Sequence, residues 1–328
     1  MAPFPPAVLR YVRSAASLIA PLRRVVEEHD QLVAERDRLS RIVQDKGSLQ
    51  ELAPQFVPPG HFYSPVPMLD ELRRDEARLF ATRRELPGVN LDEEGQLQLL
   101  AQLVPYYREM DFPERQEARR RYWFENPAYA YSDAIFLHCM IRHCKPKRII
   151  EVGSGHSSCM TLDTNEQYFG NQIQCTFIEP YPELLLSLLK PGDRERIEIV
   201  PTRVQDVGLE RFAALEAGDI LFIDSTHVVK AGSDVNYLYF EVLPALKPGV
   251  FVHIHDIFAG FQYPREWIFA GRQWGENYLL RAFLMYNDRF QIKLFNTFLE
   301  TFHQEWFARE MPLCLRNPGG QIWLQRTA

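Results

Sequence analysis

Ile149-Ile150-Glu151-Val152-Gly153-Ser154-Gly155-His156-Ser157-Ser158 is the stretch on which the fold turns. An apolar run enters two glycines one residue apart and leaves into polar residues that open a helix. This is the pattern of a buried strand, a tight turn and a helix. Gly153 and Gly155 remove side chains where backbone must pass close to a ligand. In a doubly wound sheet such a turn lies at the carboxyl end of the first strand, where the ligand crevice opens. A lone G-x-G also serves plain strand-to-helix connections, so its neighbours decide its meaning.

Downstream, apolar and β-branched runs alternate with helical stretches. Strands are predicted at 148–152, 174–179, 197–201, 219–224, 250–255, 290–296 and 321–325. Helices are predicted between most of them, over 157–168, 183–189, 235–245 and 276–285. Short buried strands alternating with helices predict an α/β fold: a doubly wound, mostly parallel seven-stranded sheet covered on both faces. No internal repeat is visible.

Acids sit where that sheet would hold a nucleoside. Glu151 precedes Gly153 by two residues, and Glu179 ends the second strand, where a carboxylate accepts hydrogen bonds from ribose hydroxyls. Asp206 follows the third strand, within reach of an adenine amine. Three acids suit a nucleoside ligand without phosphate, and Ser158 stands where a dinucleotide fingerprint has its third glycine. The choice tilts from NAD toward S-adenosylmethionine (SAM), with Ser154 and Ser157 in the cofactor turn.

With these residues, and with Asp219-Ile220-Leu221-Phe222-Ile223-Asp224-Ser225-Thr226-His227, the chain resembles class I SAM-dependent methyltransferases. The similarity is greatest to the bacterial branch that includes macrolide sugar O-methyltransferases and cephalosporin-hydroxylase-type proteins. It spans about residues 60–328 and includes Phe62-Tyr63-Ser64-Pro65, Tyr131-Ser132-Asp133-Ala134, His255-Asp256-Ile257-Phe258, Tyr263-Pro264 and Gly271-Arg272-Gln273-Trp274. The resemblance implies a Rossmann-like methyltransferase fold, and places Tyr131, Asp133 and Tyr63 beside the cofactor or acceptor pocket. It also implies O-methylation of a small molecule or sugar, with a divalent metal at Asp224, His255 and Asp256 and with His227 as general base. The relatives have Glu-Asp where this chain has His255-Asp256. Magnesium prefers oxygen ligands, so a His/Asp set suits manganese, iron or zinc better.

The chemistry asks for such groups. Methyl transfer from a sulfonium is an in-line displacement that needs alignment and dryness, and a hydroxyl acceptor must lose its proton. Asp224 and His227 end the fourth strand, and His255-Asp256 end the fifth. Parallel strands bring both ends to one crevice. Two other readings stay open. His227, His255 and Asp256 would make the two-histidine, one-carboxylate set of a non-haem iron oxygenase. A non-catalytic SAM-binding partner protein would keep the fold alone. His253 is expected as a buried, hydrogen-bonded histidine. The aromatics Phe261, Tyr263, Trp267, Phe269 and Trp274 read equally as acceptor lid or as core.

The flanks differ in texture. Residues 1–50 read as a long helix or short coiled coil, with near-heptad positions from Leu22 to Val43 interrupted by His29 and Arg36. A homo-oligomer assembled through this helix, or a helix docked on its own domain, fits equally. Residues 51–130 read as a proline-rich break followed by a helical cap, with Glu114–Arg121 as a solvated helix face. Residues 131–328 read as the methyltransferase domain that the resemblance implies.

Composition excludes several classes. The chain has 328 residues and a net charge of -6, without the basic surplus of a nucleic-acid binder. Five cysteines without a C-x-x-C pair fit a reduced, cytoplasmic compartment. No apolar run is long enough to span a bilayer.

Overall fold

The computed structural model describes residues 32–33 and 56–327. The expected N-terminal helix falls on residues 1–50, of which only Leu32 and Val33 are described, both helical. Contacts divide the chain into two units, Met1–Met68 and Leu69–Ala328. The larger unit carries the sheet and everything discussed below.

Seven strands form one sheet: β1 (Arg148–Val152), β2 (Gln174–Ile178), β3 (Glu198–Val200), β4 (Ile220–Ile223), β5 (Phe251–His255), β6 (Phe290–Phe295) and β7 (Gln321–Arg326). Their order across the sheet is β3-β2-β1-β4-β5-β7-β6. Strands β1 to β5 pair in parallel, and β7 runs antiparallel to both β5 and β6. Every predicted strand is present, with ends within two residues. The inner strands are largely buried because helices cover both faces; all four residues of β4 are apolar and buried.

The order of the strands fixes the site. From β1 the chain moves outward to β2 and β3, then returns to β4 on the other side of β1. The strand order reverses between β1 and β4, which is where an open α/β sheet leaves a crevice beyond its carboxyl ends. The turn at Gly153 and the carboxylate of Asp224 flank that gap.

Four helices matter here: α1 (Glu93–Arg108), α2 (Ser132–Cys144), α3 (His156–Phe169) and α4 (Glu276–Leu284). Helix α1 is capped by Asp92, whose side chain accepts from the Gly95 amide. It docks on β6 through Gln96, fully buried, whose Oε1 accepts from the Phe295 amide at 2.7 Å. Helix α4 presents Glu276, Asn277, Leu280 and Leu284 inward. Residues 234–245 form the expected helix, with a π turn at Leu238–Val242.

One expectation fails. Residues 111–131 contain no helix, and Glu114–Arg121 is not a solvated helical face. Pro113 interrupts the backbone there. Arg121 is instead drawn inside, 4% exposed, by a set of carboxylates. Its guanidinium is bidentate to Asp193 at 2.7 and 2.5 Å and reaches Asp163 and Glu166 at 2.6 and 2.7 Å. Asp163 also accepts from the Arg121 and Tyr122 amides at 2.8 and 2.9 Å. A buried guanidinium with every carboxylate satisfied pins this loop to α3.

Candidate cofactor cleft and reaction centre

The glycine turn is built by close approach. Gly153 has φ +80°, and a Cβ added there would overlap the carbonyl oxygen of Asp224. Its amide donates to Ile178 O at 3.0 Å, while the Asp224 amide donates to Val152 O at 2.8 Å. The turn is thereby stitched to β2 and β4 at once. Gly155 is extended, and its added Cβ would meet only the Leu184 side chain at 3.2 Å. Of the two glycines, Gly153 carries the steric demand.

Beyond the turn lies a cleft of about 420 Å³. Gly153, Glu179, Tyr181, Val204, Gln205 and Asp224 are among its walls. Glu179 follows β2 and accepts from the amides of Ser154 at 3.2 Å and Tyr181 at 2.8 Å. Its carboxylate is therefore oriented beside the glycine turn, as a ribose partner must be.

The other residues expected at the cofactor occupy different places. Glu151 is fully buried beneath the turn, where Ser157 and Ser158 hydroxyls both donate to its Oε1 at 2.7 Å. Burial, against those two hydrogen bonds, pushes its carboxyl up to about 8. Glu151 and Ser157 hold the first turn of α3 and do not line the cleft. Asp206 is half exposed and pairs with its neighbour Arg203 at 2.9 Å, while Arg203, Val204 and Gln205 of the same turn face the cleft. Tyr131 stacks on Phe124 at 5.2 Å, away from the cleft, under the guanidinium of Arg316. Asp133 is buried and accepts from the Gly320 amide at 3.0 Å and from the Gln321 side chain at 3.1 Å. Its other oxygen lies 3.4 Å from His255 Nε2, so it stands behind the reaction centre.

The ends of β4 and β5 do meet. His227 Nε2 lies 3.4 Å from both Asp224 Oδ1 and Asp256 Oδ2. His255 Nδ1 lies 3.3 Å from the same Asp224 oxygen and 3.7 Å from Asp256 Oδ1. Two imidazoles and two carboxylates thus alternate around one small ring. His227 (φ +61°) and Asp256 (φ +55°) are both left-handed, a conformation that costs energy in residues with side chains.

A residue outside the sequence reading completes the group. Glu276, at the start of α4 and fully buried, lies with Oε2 2.8 Å from His227 Nδ1. This fixes the ring and directs Nε2 toward Asp224 and Asp256. The sequence showed only an acid at a helix start. Burial opposes a charge on His227, but Asp224 and Glu276 outweigh it and lift the imidazole to about 10. Burial likewise opposes a charge on His255, and Asp224, Asp256 and Asp133 overcome it. Burial also raises the carboxyl of Asp256, whereas His255 and His227 hold Asp224 well below the usual carboxylate range.

The aromatic stretch closes one side of this group. Trp274 lies 4.6 Å from the His227 ring and 5.8 Å from Tyr263. His253 is buried deeper, stacked on Phe222 at 4.0 Å, with its Nε2 3.5 Å from the Tyr129 hydroxyl. Among the described residues, no group of three or more His, Cys, Asp or Glu stands ready to hold a metal ion. Nor is any described helix long and apolar enough to cross a membrane.

Residues 150–257 match the family model of a methyltransferase domain. An uncharacterized protein of Archaeoglobus fulgidus is 37% identical over 168 residues, which are 49% of this chain and 75% of that protein. Solved structures similar to this one include the O-methyltransferase TomG from Streptomyces achromogenes, in complex with SAM. It is 16% identical, with 79% of this chain and 96% of that chain covered and a TM-score of 0.40. The methyltransferase PaMTH1 of Podospora anserina is 14% identical, with 84% and 100% covered and a TM-score of 0.40. Residues 150–257 are thus a methyltransferase domain, set on the doubly wound seven-stranded sheet.

Proposed function

We propose that this protein methylates a hydroxyl of a small molecule or sugar, with His227 as general base. One observation carries the reading. Asp224 lines the cofactor cleft and also lies 3.4 Å from His227 Nε2, so cleft and base share a wall.

SAM supplies an electrophilic methyl on a cationic sulfonium. Glu179 and the Gly153 turn orient the nucleoside from one side of the crevice. His227 Nε2 takes the proton of the acceptor hydroxyl as the oxygen–carbon bond forms and the carbon–sulfur bond breaks. Glu276 holds the opposite ring nitrogen and stabilises the imidazolium that results. Trp274 and Tyr263 exclude water from that side. Asp224 and Glu276 raise the imidazole of His227 against its burial, and a cationic sulfonium beside Asp224 would offset part of that field.

A second reading adds a divalent metal. Its support is His255, whose two ring nitrogens are buried with no hydrogen-bond partner. Asp224, His255 and Asp256 would hold such an ion, and Asp133 would orient the histidine from behind. The mixed nitrogen and oxygen donors favour manganese, iron or zinc over magnesium. Bound there, the ion would stabilise a forming alkoxide.

The test is calorimetry with SAM and S-adenosylhomocysteine (SAH), followed by SAH release over a panel of hydroxyl acceptors. Glu179→Ala is expected to abolish cofactor binding. His227→Ala should stop turnover and leave SAH affinity intact. Glu276→Gln should slow turnover by about 10²-fold or more at unchanged SAH affinity. Wild-type turnover in His227→Ala removes His227 as the base, and absence of heat with either cofactor removes the function. Elemental analysis of wild-type and His255→Ala protein decides the metal.

A further inference from the structure

A second cavity, of about 420 Å³, opens on the far side of Tyr263. Four arginines contribute to its wall, Arg78, Arg83, Arg265 and Arg281, and no aspartate or glutamate does. In a chain of net charge -6, such a concentration of guanidinium in one concavity is unexpected. Two of the four are already paired, Arg78 with Asp75 at 2.8 Å and Arg265 with Glu76. Among the described residues, Arg83 and Arg281 have no carboxylate within 4.0 Å. Two uncompensated guanidinium groups call for about two negative charges, and their planar forks suit phosphoryl oxygens.

Helix α4 borders both the cavity and the reaction centre. Glu276 of that helix holds His227, while Tyr278 and Arg281 of the same helix face the cavity. The Asn277 amide donates to the Tyr263 hydroxyl at 3.3 Å, fixing the ring that divides the two spaces. Trp274 bridges from Tyr263 to His227. Tyr278, 47% exposed, offers an aromatic face beside the arginines.

We propose that this arginine-lined cavity binds a phosphoryl group, held between Arg83 and Arg281. The proposal stands apart from the methyl-transfer reading above.

The test is titration of the full chain with inorganic pyrophosphate at constant ionic strength, with sodium chloride as the control. Saturable binding is expected, weakened about tenfold in Arg281→Gln and further in Arg83→Gln/Arg281→Gln. SAH affinity should be unchanged in both variants. If the double variant does not fold, Arg83→Gln alone, at an exposed position, serves. No saturable binding of pyrophosphate, or equal affinity in wild type and variants, overturns the proposal. Pyrophosphate binding that depends on these arginines in a protein that binds no SAH keeps the anion site and removes the methyltransferase reading.

Discussion

Replacing Gly153 by alanine tests whether the cofactor turn is set by steric contact with β4. The position has φ +80°, and a Cβ there would overlap the Asp224 carbonyl oxygen and stand 2.8 Å from its carbon. The left-handed backbone alone costs an alanine roughly 1 kcal/mol. The clash adds more, because Asp224 cannot retreat freely. Its amide bonds to Val152 O, and the Gly153 amide bonds to Ile178 O. Loosening both hydrogen bonds costs about 1 kcal/mol each. The sum is about 3 kcal/mol, or a fall in Tm of about 6–12 °C for a domain of this size. Gly170→Ala is the internal control. That residue has φ +58° and nothing within 4 Å of an added Cβ, so it carries the strain without the clash. Its expected cost is about 1 kcal/mol, a fall of about 2–4 °C. Calorimetric scans of both variants, with SAH titrations, complete the assay. Gly153→Ala should also lose SAH binding, since the displaced backbone forms the cleft wall, and Gly170→Ala should keep it. Equal Tm losses in the two variants, or undiminished SAH affinity in Gly153→Ala, would refute the reasoning.

Two further predictions concern buried charge. Glu151 titrates near 4.5 when unfolded and is lifted to about 8 by burial in the native state. Between those values the native state holds a proton that the unfolded state has released. Stability should therefore fall with rising pH across that window, by about 1.4 kcal/mol per pH unit, and level off above it. Glu151→Gln should flatten this slope in urea unfolding from pH 5 to 8.5; parallel slopes for the two proteins contradict it. Arg121→Ala leaves Asp163 and Asp193 buried without their guanidinium partner. The expected loss is about 3–5 kcal/mol in denaturant unfolding, and a loss below ~1 kcal/mol would show the network to be dispensable.

What local chemistry dictates was readable in the chain itself. Apolar runs such as Ile220–Ile223 make strands wherever both faces are covered, and two glycines after Val152 make a turn. The strand positions, the α/β class and the placement of Glu179 beside Gly153 all follow from signals a few residues long. So did the convergence of Asp224, His227, His255 and Asp256, because parallel strands end at one edge.

Pairings made across the fold were beyond that reach. Glu276 meets His227 from 49 residues away, and nothing in its own neighbourhood distinguishes it from an acid at any helix start. Arg121 sits in a charged run that reads as solvated until Asp163 and Asp193 arrive from 42 and 72 residues away. Glu151 and Asp133, read as cofactor contacts, lie behind the glycine turn and His255 instead. The four arginines of the second cavity come from three separated segments. A sequence fixes which groups carry charge and how the local backbone runs. Which charges face each other, and how dry they are, is settled only when distant segments pack, since burial and opposing partners set the energy of a charge.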